Sequence, residues 1–171
     1  MPSNVEIKAR VRDFAALSDR ARRLSDTPIQ VISQVDTFFI TKTGRLKLRE
    51  LDSGRAQLIY YERPDREGPK RSDYTFFETG DAGTLKALLA RVLGIRGTVE
   101  KVRHLYMIGQ TRVHLDKVKG LGHFMELEVV LETGQSEDDG RLIAERLVSR
   151  LGIEPHDLLE SAYMDLIEQA G

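Results

Sequence analysis

The chain has no cysteine and no tryptophan. The absence of cysteine excludes a disulfide framework and any thiolate metal site. Aromatic residues make up only 6% of the chain and are not interleaved with basic ones, which argues against a stacking platform for single-stranded nucleic acid. A basic excess is also missing: 26 Lys and Arg stand against 27 Asp and Glu, for a net charge of −1. A general nucleic-acid partner is therefore not expected. No apolar run approaches the ~20 residues that would span a bilayer. The N-terminus lacks the charged-then-apolar pattern of a signal peptide. The expectation is a cytoplasmic protein with no membrane partner. No internal repeat, low-complexity stretch or linker divides the sequence, so one domain over residues 1–171 is expected, long enough to bury a core without disulfides.

What the chain does have is alternation. Val5, Ile7, Ala9 and Val11 take one face of a stretch whose other face carries Glu6, Lys8 and Arg10. Period two means a strand with one buried face. Residues 12–24 then switch to helical spacing, with apolar Phe14, Leu17, Ala21 and Leu24 behind Asp13 as a plausible N-cap. Further strands are expected at 34–40, 45–50, 56–63, 73–79, 98–107, 111–117 and 124–132. Helices are expected at 84–93, 135–151 and 155–169, the last with Pro155 in its first turn. The connections are mostly short, which implies antiparallel pairing. About eight such strands can close on themselves. The expected class is α+β: an eight-stranded antiparallel β-barrel forming a tunnel, with helices packed on the outside.

The polar faces of these strands carry charge in ladders. Arg45, Lys47 and Arg49 share a face opposite Leu46 and Leu48. Lys101 and Arg103 share one, as do Arg112, His114 and Asp116. Glu126 and Glu128 share another, opposite Leu127 and Val129. A solvated sheet face is the bland reading of any one ladder. Three features count against it. Serine and threonine, common on wet faces, are nearly absent from the ladders. Adjacent like charges repel unless an anion sits among them. The pattern also recurs on strands far apart in sequence, as an inward polar face would. A lumen with cations on one side and carboxylates on another suits a polyphosphate with its metal ions. Cleaving a phosphoanhydride is then largely positioning and charge stabilisation.

Glu6-x-Lys8 in the first strand resembles the E-x-E-x-K signature of the CYTH superfamily of triphosphate tunnel enzymes. The segments "QVDTFF", "GRLKLRE", "LIYYERPD", "GPKRSDY", "VEKVR", "TRVHLDKVKGLGHFMELEVVLE" and "SAYMDL" follow in order and are similar to its class IV adenylate cyclase branch. The resemblance implies a tunnel barrel that binds a triphosphate with Mg²⁺ or Mn²⁺. It implies metal-side acids at Glu6, Asp116, Glu126 and Glu128, and phosphate-side bases at Lys8, Lys47, Arg49, Arg63, Lys70, Lys101, Arg103 and Arg112. Arg10 and Arg45 are in phase with these bases. Lys8, Glu6 and Asp116 are the expected catalytic group. The implied substrate is ATP, cyclised to cyclic AMP and pyrophosphate. The alternatives are a triphosphatase acting on tripolyphosphate, thiamine triphosphate or a nucleoside triphosphate, and a non-catalytic polyphosphate- or nucleotide-binding module. Where the signature has its first acid this chain has Asn4. His114 is expected to be a hydrogen-bonded tunnel residue, and Tyr163 to pack rather than act. Lys70 is expected on a flap over the tunnel mouth. Apolar outer surface left uncovered by the helices would leave room for a homodimer.

Overall fold

A computed structural model describes residues 2–170. In chain order the elements are β1 (Ser3–Arg10), α1 (Phe14–Leu24), β2 (Gln30–Phe39), β3 (Arg45–Leu51), β4 (Ala56–Glu62), β5 (Lys70–Thr79), α2 (Ala82–Leu93), β6 (Ile95–Ile108), β7 (Thr111–Val118), β8 (Gly122–Val130), α3 (Glu137–Leu151), β9 (Leu158–Leu159) and α4 (Tyr163–Ala170), with a 3₁₀ turn at Pro155–Asp157. The strands pair in the order β5-β4-β3-β2-β6-β7-β8-β1, and β1 pairs back onto β5. The eight antiparallel strands therefore close, as expected. Closure leaves no barrel edge among these strands. Short β9 adds to β1 through Lys8–Leu159 and Ala9–Leu158.

Alternation decides where each strand puts its side chains. Val5, Ile7 and Ala9 of β1 point outward, as do Val113 and Leu115 of β7 and Met125, Leu127 and Val129 of β8. They form the main core against Leu17 and Ala21 of α1 and Ala144, Leu147 and Leu151 of α3. The apolar core thus lies outside the barrel, between its wall and the helices. Truncating a fully buried residue such as Leu127 to alanine would cost roughly 2–5 kcal/mol. Helix α1 starts at Asp13, whose carboxylate accepts from Ala16 N at 3.0 Å. Helix α3 starts at a capping box formed by Ser136 and Asp139. It lies close to the wall because Gly140 has no side chain: a Cβ there would sit 2.6 Å from Leu131 and 2.7 Å from Val5. Helix α2 covers outward Leu48 and Ala56.

Two expectations need correction. The single helix over 155–169 is broken. Asp157 is buried and bound by Arg12 at 2.7 Å, Leu158–Leu159 pairs with β1, and α4 starts afresh with Asp165 accepting from Ala162 N at 3.1 Å. Tertiary pairing overrides the helical spacing there. The expected flap at Lys70 is the first residue of β5. Asn4–Ser72 and Glu6–Lys70 are the pairs that close the barrel, so a polar stretch that looks like loop is wall.

Helix α4 plugs one end. Its Tyr163 and Met164 pack with Phe38, Val99, Val118 and Phe124.

Candidate functional site

Inside the barrel is a cavity of about 380 Å³. One wall is cationic and is organised by a carboxylate. Asp36, only 1% exposed, lies on β2 between β3 and β6. Arg49 Nε and Nη2 donate to its two oxygens at 2.8 and 2.9 Å. Lys47 Nζ lies at 3.2 Å and Lys101 Nζ at 3.9 Å. Burial alone would raise the Asp36 pKa, but Arg49 and then Lys47 hold it well below the usual carboxylate range. The lysines feel the opposite balance. Burial, reinforced by Arg49, pushes Lys47 down to about 8. Burial, reinforced by Arg103, pushes Lys101 down to about 7. An arriving polyanion would relieve both.

Next to this wall, Arg103 grips Asp116 with both arms at 2.8 and 2.7 Å and reaches Glu126 at 3.0 Å. Tyr163 donates to the same Asp116 at 2.8 Å. Lys8 Nζ sits 3.9 Å above the Tyr163 ring, and Lys101 Nζ at 4.9 Å. The plug helix therefore contributes its tyrosine to the cation wall.

The facing wall carries acids. Lys8 lies opposite Glu126 in register, with Nζ 3.1 Å from its carboxylate. Glu6 lies opposite Glu128 and is bridged to Arg63. Arg112 lies opposite Glu128 on β7 and donates to it at 3.0 Å. Burial would raise both glutamates. Lys8 and Arg103 hold Glu126 well below its ordinary value, and Glu128 is lowered by the charge His114 takes on only in acid and, across the pH range, by Arg112. One ligand atom each from His114, Glu126 and Glu128 come within 4.8 Å of one another.

The donor chemistry of that trio fits a divalent cation. Burial, then Arg103, pushes His114 down to about 3, so its imidazole is neutral and keeps a lone pair. Its buried Nδ1 has no hydrogen-bond partner among the described residues and lies 4.0 Å from Glu128. This departs from the expected hydrogen-bonded histidine. Two carboxylates with one imidazole make a donor set for a divalent cation. Asn4 also lines the cavity, as its phase with Glu6 implies, and its amide oxygen is buried without a hydrogen-bond partner among the described residues.

The other expected positions sort clearly. Glu6, Lys8, Lys47, Arg49, Arg63, Lys101, Arg103, Arg112, Glu126 and Glu128 all line the cavity. Asp116 is fully buried and does not line the cavity, its oxygens engaged by Arg103 and Tyr163. Arg10 is exposed and rests on Phe124 at 5.4 Å. Arg45 is turned to Asp65 and Asp165, at 3.2 and 3.0 Å. The Lys70 ammonium is buried and donates to the backbone carbonyls of Arg66 and Glu160 at 2.9 and 2.8 Å. Neither Asp36 nor the metal-facing aspect of His114 was singled out by sequence reasoning. The usable signal for Asp36 was its place within "QVDTFF", in phase with Gln34 and opposite Val35.

The eight strands thus form a closed tunnel barrel with cations and carboxylates facing one another across its bore. The chain belongs to the CYTH domain family, whose model matches residues 3–163. Adenylate cyclase CyaB of Aeromonas hydrophila is 26% identical over 175 residues, covering 97% of this chain and 89% of that protein. Among solved structures, PH1012 from Pyrococcus horikoshii OT3 superposes with a TM-score of 0.85 at 23% identity, covering 95% of this chain and 98% of that one. HpAC1 from Hippeastrum, named as an adenylyl cyclase and described as having a dominant triphosphatase activity, gives 0.67 at 18% identity, covering 98% and 96%. These two structural likenesses speak to the fold.

Proposed function

We propose that this protein is a divalent-metal-dependent enzyme that binds a triphosphate in the tunnel and cleaves a phosphoanhydride bond, as a class IV adenylate cyclase does. The observation that carries this is the bore itself: a cation wall pre-organised by Asp36, facing a neutral histidine and two ionised glutamates. Lys47, Arg49, Lys101 and Arg103 would hold the phosphate oxygens through charge-assisted hydrogen bonds. Lys8 and Arg63, each tied to an acid of the facing wall, would take the remaining oxygens. The α4 plug closes one end and limits water around the bound chain. His114, Glu126 and Glu128 would hold Mn²⁺ or Mg²⁺, which supplies charge neutralisation at the phosphate oxygens.

In the cyclase reaction the ribose 3′-oxygen forms a bond to the α-phosphorus. The bond to the bridging oxygen breaks, and the hydroxyl proton ends on the departing pyrophosphate. The tunnel residues need only align the chain and stabilise charge. Hydrolysis of a terminal phosphate is the second reading. Its support is that the cation wall grips phosphates without reference to a sugar. A binding module without catalysis is disfavoured by the ionised acids still facing the bore.

Product analysis separates the three. The protein is incubated with ATP, 3′-deoxy-ATP and tripolyphosphate in Mn²⁺ or Mg²⁺. The cyclase reading expects cyclic AMP and pyrophosphate from ATP, and no turnover of 3′-deoxy-ATP despite binding. Orthophosphate as the sole product would transfer the assignment to the triphosphatase. Tight binding without turnover of any ligand would leave the binding module.

A further inference from the structure

Tyr163 enters the bore from the plug, and several contacts fix where it stands. Asp165 accepts from Ala162 N at 3.1 Å and so caps the start of α4. Arg45 and Arg96 hold the same carboxylate at 3.0 and 2.6 Å. Gly97 leaves room for the neighbouring Met164, since a Cβ there would lie 2.5 Å from its Cε. Phe124 packs against the Tyr163 ring with centroids 5.1 Å apart. Tyr163 itself is buried and lines the cavity.

Two ammoniums stand on that ring. Lys8 Nζ is 3.9 Å from its centroid and Lys101 Nζ 4.9 Å. Lys8 also has Glu126 at 3.1 Å. Lys101 has less: Asp36 and Asp116 both lie 3.9 Å away, beyond hydrogen-bond distance. An ammonium held by carboxylates spends its N–H donors on them. One seated on an aromatic face is held by the ring's charge distribution and keeps its donors for another partner. The hydroxyl at the far end of the ring serves a third cation. It donates at 2.8 Å to the Asp116 oxygen that also takes Arg103 Nη2 at 2.7 Å. Resting on the triphosphate reading above, we infer that Tyr163 is the positioning residue of the plugged end of the bore. Its ring seats Lys8 and Lys101, its hydroxyl steadies Asp116 beside Arg103, and the three cations meet the phosphates from fixed places. Tyr163 acts through these cations and takes no part in bond making.

The test separates ring, hydroxyl and plug. Tripolyphosphate affinity is measured by calorimetry in excess chelator, with Tm alongside, for the wild type, Tyr163→Leu, Tyr163→Phe and Ile167→Ala. Ile167 lies one turn further along α4, packs on the same cluster as Tyr163 and does not line the cavity. Tyr163→Leu should weaken tripolyphosphate by about tenfold, the order expected when two buried ammoniums lose their ring. Tyr163→Phe keeps the seat and should stay within about threefold of wild type. Ile167→Ala should lower Tm through lost packing, with affinity within about twofold of wild type, because it touches no cation. A loss in Tyr163→Phe as large as in Tyr163→Leu would overturn the ring seat. So would unchanged affinity in Tyr163→Leu, or an equal affinity loss in Ile167→Ala, which would make the effect one of plug packing alone. The wild type supplies a check that does not depend on Tyr163→Leu folding. Ring currents should shift the ε-methylene protons of Lys8 and Lys101 upfield in NMR spectra of protein labelled at the lysine ε-carbon, and unshifted signals would overturn the seat. If the wild type binds no tripolyphosphate, the triphosphate reading falls, and this inference with it.

Discussion

Replacing Asp36 with asparagine removes one charge and almost no volume. In the native protein that carboxylate is shared by Arg49, Lys47 and, at longer range, Lys101. The substitution leaves these cations in a buried bore without their common counter-charge. Breaking a buried ion pair by removing one partner costs about 3–5 kcal/mol. At ~2.1 cal/mol/K of unfolding entropy per residue, a chain of this length loses roughly 8–14 °C of Tm. The loss should depend on ligand, because tripolyphosphate brings the missing negative charge. Its stabilising increment should therefore be larger in Asp36→Asn than in the wild type. The pH dependence follows from the depressed Asp36 pKa. Such a group contributes stability that is fully present above its unfolded value of about 3.9 and is lost as pH falls through the lower folded value. The gap between the two proteins should hold from pH 7 down to about 4 and narrow below that. Scanning calorimetry with and without tripolyphosphate, from pH 7 to 3, measures all of this. Equal Tm values with equal ligand increments would refute the role given to Asp36.

Other perturbations probe the same bore. Burial and Arg103 push Lys101 down to about 7, so its charge destabilises the folded state at low pH and the wild type gains stability as pH rises from about 7 to 10.5. Lys101→Met should raise Tm at pH 7, flatten that rise and weaken tripolyphosphate; an unchanged pH slope in the variant would contradict this. Glu126→Gln and Glu128→Gln should each raise the metal concentration needed for half-maximal turnover, because a hard divalent cation loses an anionic oxygen; identical metal titrations would remove these residues from the metal set. Asn4→Glu should lower that concentration, since it turns an unpartnered inward amide into a carboxylate; activation curves that superimpose on wild type would show that Asn4 does not face the metal.

Alternation made the barrel legible. Leu46 and Leu48 against Lys47 and Arg49, and Leu127 and Val129 against Glu126 and Glu128, already separate an outer face from an inner one. The structure places those faces against the helices and in the bore respectively. Pairing partners were not legible, because they depend on register, which no single strand encodes. The adjacent cations of β3 called for an anion among them. Part of the answer is Asp36, directly opposite Arg49 on β2. Asp116 shares its phase with Arg112 and His114, yet Arg103 and Tyr163 occupy its oxygens. Phase tells which way a side chain points, not what already holds it. The break before α4 was hidden for a similar reason: Leu158–Leu159 fits helical spacing, and only the presence of β1 makes it a strand.

The central claim is that the bore binds a triphosphate and needs a metal to cleave it. It is tested most directly by following ATP binding and turnover in one preparation, first in excess chelator and then as Mn²⁺ is returned. The account predicts measurable binding with no turnover in chelator, and cyclic AMP with pyrophosphate appearing in proportion to metal occupancy. Full turnover in excess chelator, or no binding of ATP under either condition, would contradict it.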